Sequence, residues 1–395
     1  MIALREVYIV DGLRTPIGKF GKSLKDHSAV DLAAFVMRKL FERAGVSPES
    51  IELVVMGHVI RAGTGMSTAR QAAIKAGVPL GVDAFNVDMV CASGMNAILT
   101  GAMYIKSGQY DVVLAGGMES MSNAPFLLHQ KHRWGVRHFV LTRGKGEIYD
   151  AMVYDSLHDP LLGYIMGEEA DITAKKYGAQ KEELDWIGYE SYRRAVRAWE
   201  GAMERYVAPF PSNPPLERDE GIRWDITLEE VRAQQPIFSR DGLHTVYTSS
   251  QLSDGAASVL LASKEGLKKL GVEGKAVISA HAFAGTDPVE FPMAPVYAIR
   301  KLLSQLGWSL EKVDFWENNE AFAVNNYLMN RQLGVPYERL NVHGGAIALG
   351  HPLGASGARI TIELLNVLET KGGRRGIASI CHGLGGAAAL ALELP

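Results

Sequence analysis

Apolar residues along this chain fall into two alternating rhythms. Short runs rich in β-branched residues, VYIV (7–10), ELVVM (52–56), FNVDMV (85–90) and VVLA (112–115), have the length and composition of strands. Between them, 30–44 and 93–107 repeat their apolar positions at the helical period, with Met95, Ile98, Leu99, Ala102 and Met103 on one face. Strands alternating with helices predict a mostly parallel sheet. The pattern then recurs. RKLFERAGVSPESIEL begins at Arg38 and RKLLSQLGWSLEKVDF at Arg300, an offset of 262. At an offset of 263, Cys91-Ala92-Ser93-Gly94 is echoed by Gly354-Ala355-Ser356-Gly357, each opening a long helical run. Two echoes at nearly one offset predict a duplicated α/β unit. Residues 121–245 have no counterpart; they hold HQKHRWGVRH, a helical pattern over 166–203 and the Pro-rich PFPSNPPLERDEG. The division expected is a first half over 1–120, completed by about 246–270, an inserted loop domain over 121–245, and a second half over 271–395.

Length and composition narrow the class. A chain of 395 residues exceeds what one ordinary core serves. With 47% hydrophobic and 22% charged residues it is a globular composition, not a disordered one. A net charge of −3 supplies no footprint for nucleic acid. No apolar run approaches the roughly 20 residues of a membrane helix. MIALREVYIVDGLRTPIG lacks the charged-then-apolar layout of a signal segment, so a cytoplasmic location is expected.

There are only two cysteines, Cys91 and Cys381, which excludes a disulfide framework. Two buried apolar thiols would be the ordinary explanation. Their surroundings suggest more. Cys91 lies between the strand FNVDMV and the helix opening at Ser93, where unpaired N–H groups and the positive helix end favour thiolate, the nucleophilic form. Cys381 follows the strand GIASI and precedes His382-Gly383-Leu384-Gly385-Gly386. His351 stands in a glycine-rich stretch before Pro352, which fixes an extended turn there; a histidine able to take a thiol proton would complete a nucleophile–base pair. Cofactor readings are weak. His129, His132 and His138 lack the Cys or carboxylate partners of a metal set. Gly63-Thr64-Gly65 lacks the third glycine of a dinucleotide loop, and no Gly-Lys-Ser/Thr phosphate loop is present.

Taken in order, RTPIGKFG (14–21), ARQAA (69–73), Cys91-Ala92-Ser93-Gly94, AGGMESMSNAPF (115–126), Asn319-Glu320-Ala321-Phe322-Ala323, GGAIALGHPLGASGARI (344–360) and Cys381-x-Gly383 resemble the thiolase family over essentially the whole chain. The resemblance implies two similar α/β halves in a five-layered α-β-α-β-α arrangement with a loop domain inserted in the first. It implies that Cys91 is acylated after His351 takes its proton, and that Cys381 is the second acid/base. One oxyanion hole would be formed by His351 and a water held by Asn319, the other by the backbone N–H groups of Cys91 and Gly383. Met166, Phe238, Ser250 and Phe322 match positions along the pantetheine arm of coenzyme A. Its phosphates need cations, for which Arg218 and Arg223 are candidates. Coenzyme A would be a co-substrate, with no permanently bound cofactor and no metal, in an assembly of two or four copies.

The chain departs from the family at His382 and Leu384, where a glycine run is common. It departs also at Ile165, where short-chain acetoacetyl-CoA enzymes carry histidine; an apolar residue there leans toward degradative or broad chain-length activity. An acetoacetyl-CoA-forming enzyme, a decarboxylating condensing enzyme and a non-catalytic acyl-CoA-binding scaffold are the other readings. Cys381 and Asn319-Glu320 argue against the condensing enzyme; the presence of every reactive residue argues against the scaffold.

Overall fold

A computed structural model describes residues 5–130, 132 and 148–395. The first unit runs β1 (Tyr8–Arg14), β2 (Gly18–Lys19), α1 (Ala29–Ala44), β3 (Leu53–Gly57), α2 (Thr68–Lys75), β4 (Ala84–Val87), α3 (Ser93–Lys106) and β5 (Val112–Ser120). Then come β6 (Phe126–Leu128), β7 (Ile148–Asp150), α4 (Ala151–Tyr154), α5 (Met166–Lys176), α6 (Lys181–Trp199) and α7 (Leu228–Arg232), before the chain returns as β8 (Ser253–Ala262) and α8 (Lys264–Leu270). The second unit runs β9 (Ala276–Gly285), α9 (Ala294–Leu306), β10 (Phe315–Asn318), α10 (Ala323–Leu333), α11 (Ala346–Leu349), α12 (Leu353–Lys371), β11 (Arg375–His382) and β12 (Gly386–Glu393).

The sequence echo is a structural repeat. Arg38-Lys39-Leu40 lies in α1 and Arg300-Lys301-Leu302 in α9. Each helix ends on a left-handed glycine, Gly45 or Gly307, which a side chain would strain. Each is followed by a single 3₁₀ turn and then a strand, β3 or β10. Sheet order is β10-β11-β12-β9-β1-β8-β5-β3-β4, so corresponding strands fall on either side of the β1–β9 seam. The expectation of a mostly parallel sheet is corrected: only β3–β4, β3–β5 and β10–β11 are parallel. The reason is that β8 lies between β1 and β5 antiparallel to both, while β12 turns straight back from β11 as a hairpin.

Apolar faces stack this arrangement into five layers. Val36 and Leu40 of α1 cover one outer face, and Ile299 and Leu302 of α9 the other. Ile98 and Leu99 of α3 share the central layer with Ile360 and Leu364 of α12. The two central helices touch through backbone. A Cβ on Gly94 would lie 2.7 Å from Gly354 O, and one on Gly357 would lie 2.3 Å from Met95 N. The four-residue echo is therefore the crossing of the two central helices, and their N-termini are brought to one place.

Two local expectations change. The helical pattern over 166–203 is broken into α5 and α6, with Gly178 left-handed between them. The strand expected over 85–90 ends at Val87, and residues 90–92 form a 3₁₀ turn. His138 lies outside the described residues. Among those described, no helix is long and apolar enough to cross a membrane.

Candidate active site

Cys91 sits on the turn Val90–Ala92 immediately before α3, and His351 stands immediately before Pro352, which caps α12. The crossing of α3 and α12 thus sets these two side chains on one cavity of about 660 Å³. Gly383, Met166, Phe238, Ser250, Phe322 and Arg223 line the same cavity. Cys381 and Asn319 are fully buried and are not among its lining residues. Cys381 is the next-to-last residue of β11, and Asn319 follows β10, the parallel neighbour of β11. Arg218 does not belong here: its guanidinium stacks 4.9 Å over Trp224, and it lines a separate surface depression with Glu204 and Glu217.

Hydrogen bonds define the histidine. Ser356 Oγ donates to Pro352 O at 2.9 Å, so its lone pair is what meets His351 Nδ1 at 2.6 Å. Nδ1 must then carry the proton. That leaves Nε2 as an acceptor, and Asn319 Nδ2 lies 3.3 Å from it. Asn319 is oriented in turn, because its Oδ1 accepts from Arg359 Nη2 at 3.1 Å. Asn325 Nδ2 donates to Cys381 Sγ at 3.3 Å. The backbone N–H groups of Cys91 and Gly383 both act on the Cys91 sulfur in favour of its thiolate form.

Burial dominates the electrostatics. It pushes the Cys91 thiol above the usual range, with Cys381 adding to the effect and the two N–H groups opposing it. Burial also pushes Cys381 up to about 12, against the pull of Asn325. It pushes His351 down to about 3, helped by the Arg359 cation. The resting site is therefore thiol, thiol and neutral imidazole. The helix end and the two N–H groups favour thiolate, but burial opposes them more strongly. Charge must develop when substrate arrives.

The cavity wall is aromatic and apolar. Phe238 packs on Gly167, where a Cβ would lie 2.2 Å from the ring. Phe322 meets Phe238 edge-on at 5.7 Å and Phe291 at 6.2 Å. Arg223 lies 4.9 Å over Tyr247 and 3.5 Å from Glu230. The hairpin after Cys381 is unusual: His382 Nδ1 donates to Gly383 O at 2.8 Å, and Leu384 is held at φ 66°. A left-handed leucine costs about 1 kcal/mol.

Sequence reasoning did not assign Ser356, Asn325, Arg359 or Phe291. Ser356 belongs to the four-residue echo, and Asn325 lies three residues beyond Phe322, but neither spacing signals a partner. Asn325 and Arg359 take their roles from contacts across the fold, and Ser356 from the tight turn at Pro352.

Against this geometry, the chain matches the family described as Thiolase, N-terminal domain, over residues 7–265, and Thiolase, C-terminal domain, over residues 272–394. It is 43% identical to an acetyl-CoA acetyltransferase of Synechocystis sp., covering 99% of this chain and 100% of that one. It superposes on the crystal structure of the Bacillus anthracis acetyl-CoA acetyltransferase with a TM-score of 0.94, at 38% identity and full coverage of both chains. The Acat5 thiolase from Ascaris suum, solved in complex with coenzyme A, gives a TM-score of 0.93 at 38% identity, covering 99% of this chain and 100% of that one. Fold, duplicated halves and full-length similarity agree: the chain belongs to the thiolase family of acyltransferases.

Proposed function

We propose that this thiolase cleaves 3-ketoacyl-CoA with coenzyme A through an acyl group on Cys91, and accepts acyl tails longer than acetyl. The observation that carries the reading is a histidine whose tautomer is fixed by Ser356, leaving Nε2 unprotonated and facing only the amide of Asn319, on one cavity with Cys91.

The steps follow from the residues. His351 Nε2 takes the Cys91 proton, and the thiolate attacks the 3-keto carbon. The resulting oxyanion would meet the N–H groups of Cys91 and Gly383, a placement supported by the pull both exert on the Cys91 sulfur. Collapse breaks the C2–C3 bond and leaves the acyl group on Cys91. The departing acetyl-CoA enolate is held by protonated His351 and a water on Asn319, and takes its proton at carbon from Cys381. The Cys381 thiolate, supported by Asn325, removes the proton of incoming coenzyme A. The coenzyme A sulfur takes the acyl group, and Cys91 recovers its proton from His351. A resting histidine of depressed basicity suits this cycle, because it returns the proton readily.

Coenzyme A is a co-substrate in this reading, and no resident cofactor is needed. Residues 121–245 serve as the inserted unit that receives it, supported by Met166, Arg223 and Phe238 on the cavity wall. Tolerance of longer tails is supported by the volume and by Met121, Val153, Leu157, Ile165 and Leu353, which also line it. The printed names of the Synechocystis and Bacillus relatives favour a second reading, an acetoacetyl-CoA-forming acetyltransferase. Thiolysis of acetoacetyl-CoA and of longer 3-ketoacyl-CoA substrates separates the two: comparable kcat/KM on the longer substrates supports the first, and activity confined to acetoacetyl-CoA sinks it. Peptide mapping after incubation with acyl-CoA should place the acyl group on Cys91.

A further inference from the structure

Among the buried charges to which the cycle above gives no task, one touches the site. Arg359, in the second turn of α12, is 2% exposed, and among the described residues its Nε and Nη1 have no hydrogen-bond partner. Glu317 on β10 is the strongest opposing influence, yet neither of its oxygens is hydrogen-bonded and, among the described residues, the two form no close ion pair. The other charged groups that act on Arg359 are engaged elsewhere: Arg14 with Asp219, Glu363 with His343, and Glu320 with Ser191, Asn326 and Asn341. A charge stripped of water and so poorly paired adds little to stability, and apolar replacements of such pairs are often no worse.

What the guanidinium does make is the hydrogen bond to Asn319 Oδ1. Arginine has only donors, so it can face only the oxygen side of that amide. The N–H side is then left toward His351 Nε2. Without the cation, the two faces of the amide would differ little on that side. A flipped amide would set Oδ1 against the Nε2 lone pair and remove the donor from the oxyanion position.

We propose that Arg359 is a positioning residue for the enolate half of the reaction, holding the N–H face of Asn319 toward the oxyanion position while leaving acyl exchange at Cys91 largely untouched. The inference rests on the reading of Asn319 and Cys91 given above. It predicts a split between two activities of one preparation: thiolysis, which makes an enolate, and exchange of acyl groups with labelled coenzyme A, which does not.

The test uses Glu317→Gln/Arg359→Gln, which removes both charges together and leaves neither stranded, and Arg359→Lys, which keeps a charged donor. The paired variant should lower the thiolysis-to-exchange ratio by about tenfold or more, with KM for coenzyme A within about twofold of wild type. Arg359→Lys should bring the ratio back to within about threefold of wild type, because an ammonium still faces Oδ1. In an Asn319→Ala background the paired change should alter the ratio by less than about twofold, since its target is gone. An unchanged ratio, a Lys variant no better than the pair, or a full additional loss in the Asn319→Ala background would each overturn the inference. Failure of the wild-type protein in both assays would instead overturn the functional reading, and this inference with it.

Discussion

Replacing Ser356 with alanine tests the hydrogen bond that makes His351 a base. Ser356 is fully buried, and its hydroxyl joins His351 Nδ1 at 2.6 Å to Pro352 O at 2.9 Å. Alanine removes the acceptor and leaves Nδ1–H unsatisfied, a cost of about 1–3 kcal/mol in a buried site. The imidazole can avoid that cost by moving its proton to Nε2, the atom that must accept from Cys91. At about 1.4 kcal/mol per factor of ten, the competent tautomer falls by roughly 5- to 150-fold. Thiolysis and acyl exchange both need this base, so both rates should drop by one common factor, on the order of 10- to 100-fold. Steady-state thiolysis and labelled coenzyme A exchange, normalised to folded protein by circular dichroism, measure it. Rates within about twofold of wild type would mean that Ser356 does not set the tautomer. A loss confined to thiolysis would refute the argument differently, by showing that exchange does not use Nε2.

Cys381→Ala should abolish thiolysis and condensation while Cys91 still exchanges acyl groups, because exchange makes no Cys381 thiolate and leaves His351 to take the coenzyme A proton; Cys91→Ala should lose both. Near-normal thiolysis in Cys381→Ala would turn attention to His382 as the acid. Arg223→Ala should raise KM for coenzyme A with little change in kcat, while Arg218→Ala, placed away from the cavity, should leave KM alone; the opposite pattern in steady-state kinetics would redraw the site. Burial, with Asp159 and Asp287 adding to it, raises Glu169 to about 8 from its ordinary 4.5. The folded state therefore holds a proton that the unfolded chain releases, and stability is lost as pH rises between those values. Glu169→Gln should flatten that decline in denaturant titrations from pH 5 to 8; a decline as steep as in the wild type would assign it to other groups.

The sequence by itself carried the architecture's repeat and the candidate reactive positions. Helical periodicity, the glycines after Leu40 and Leu302, and the strand-to-helix junction at Cys91 are local features, because a few neighbouring residues decide them. His351 before Pro352 and Cys381 before Gly383 were legible for the same reason, and family motifs supplied their proposed roles.

Tertiary structure alone decided the rest. Strand direction could not be read from alternation, because it depends on where a returning segment inserts, as β8 does between β1 and β5. Arg218 and Arg223 are five residues apart in one polar stretch, yet only the second reaches the cavity. The partnerships of Asn319 with Arg359 and of Cys381 with Asn325 span 40 and 56 residues, and no local pattern encodes them. Even the charge state of Cys91 belongs to the assembled fold: a helix terminus close in sequence favours thiolate, but the water excluded by the packed halves decides for thiol.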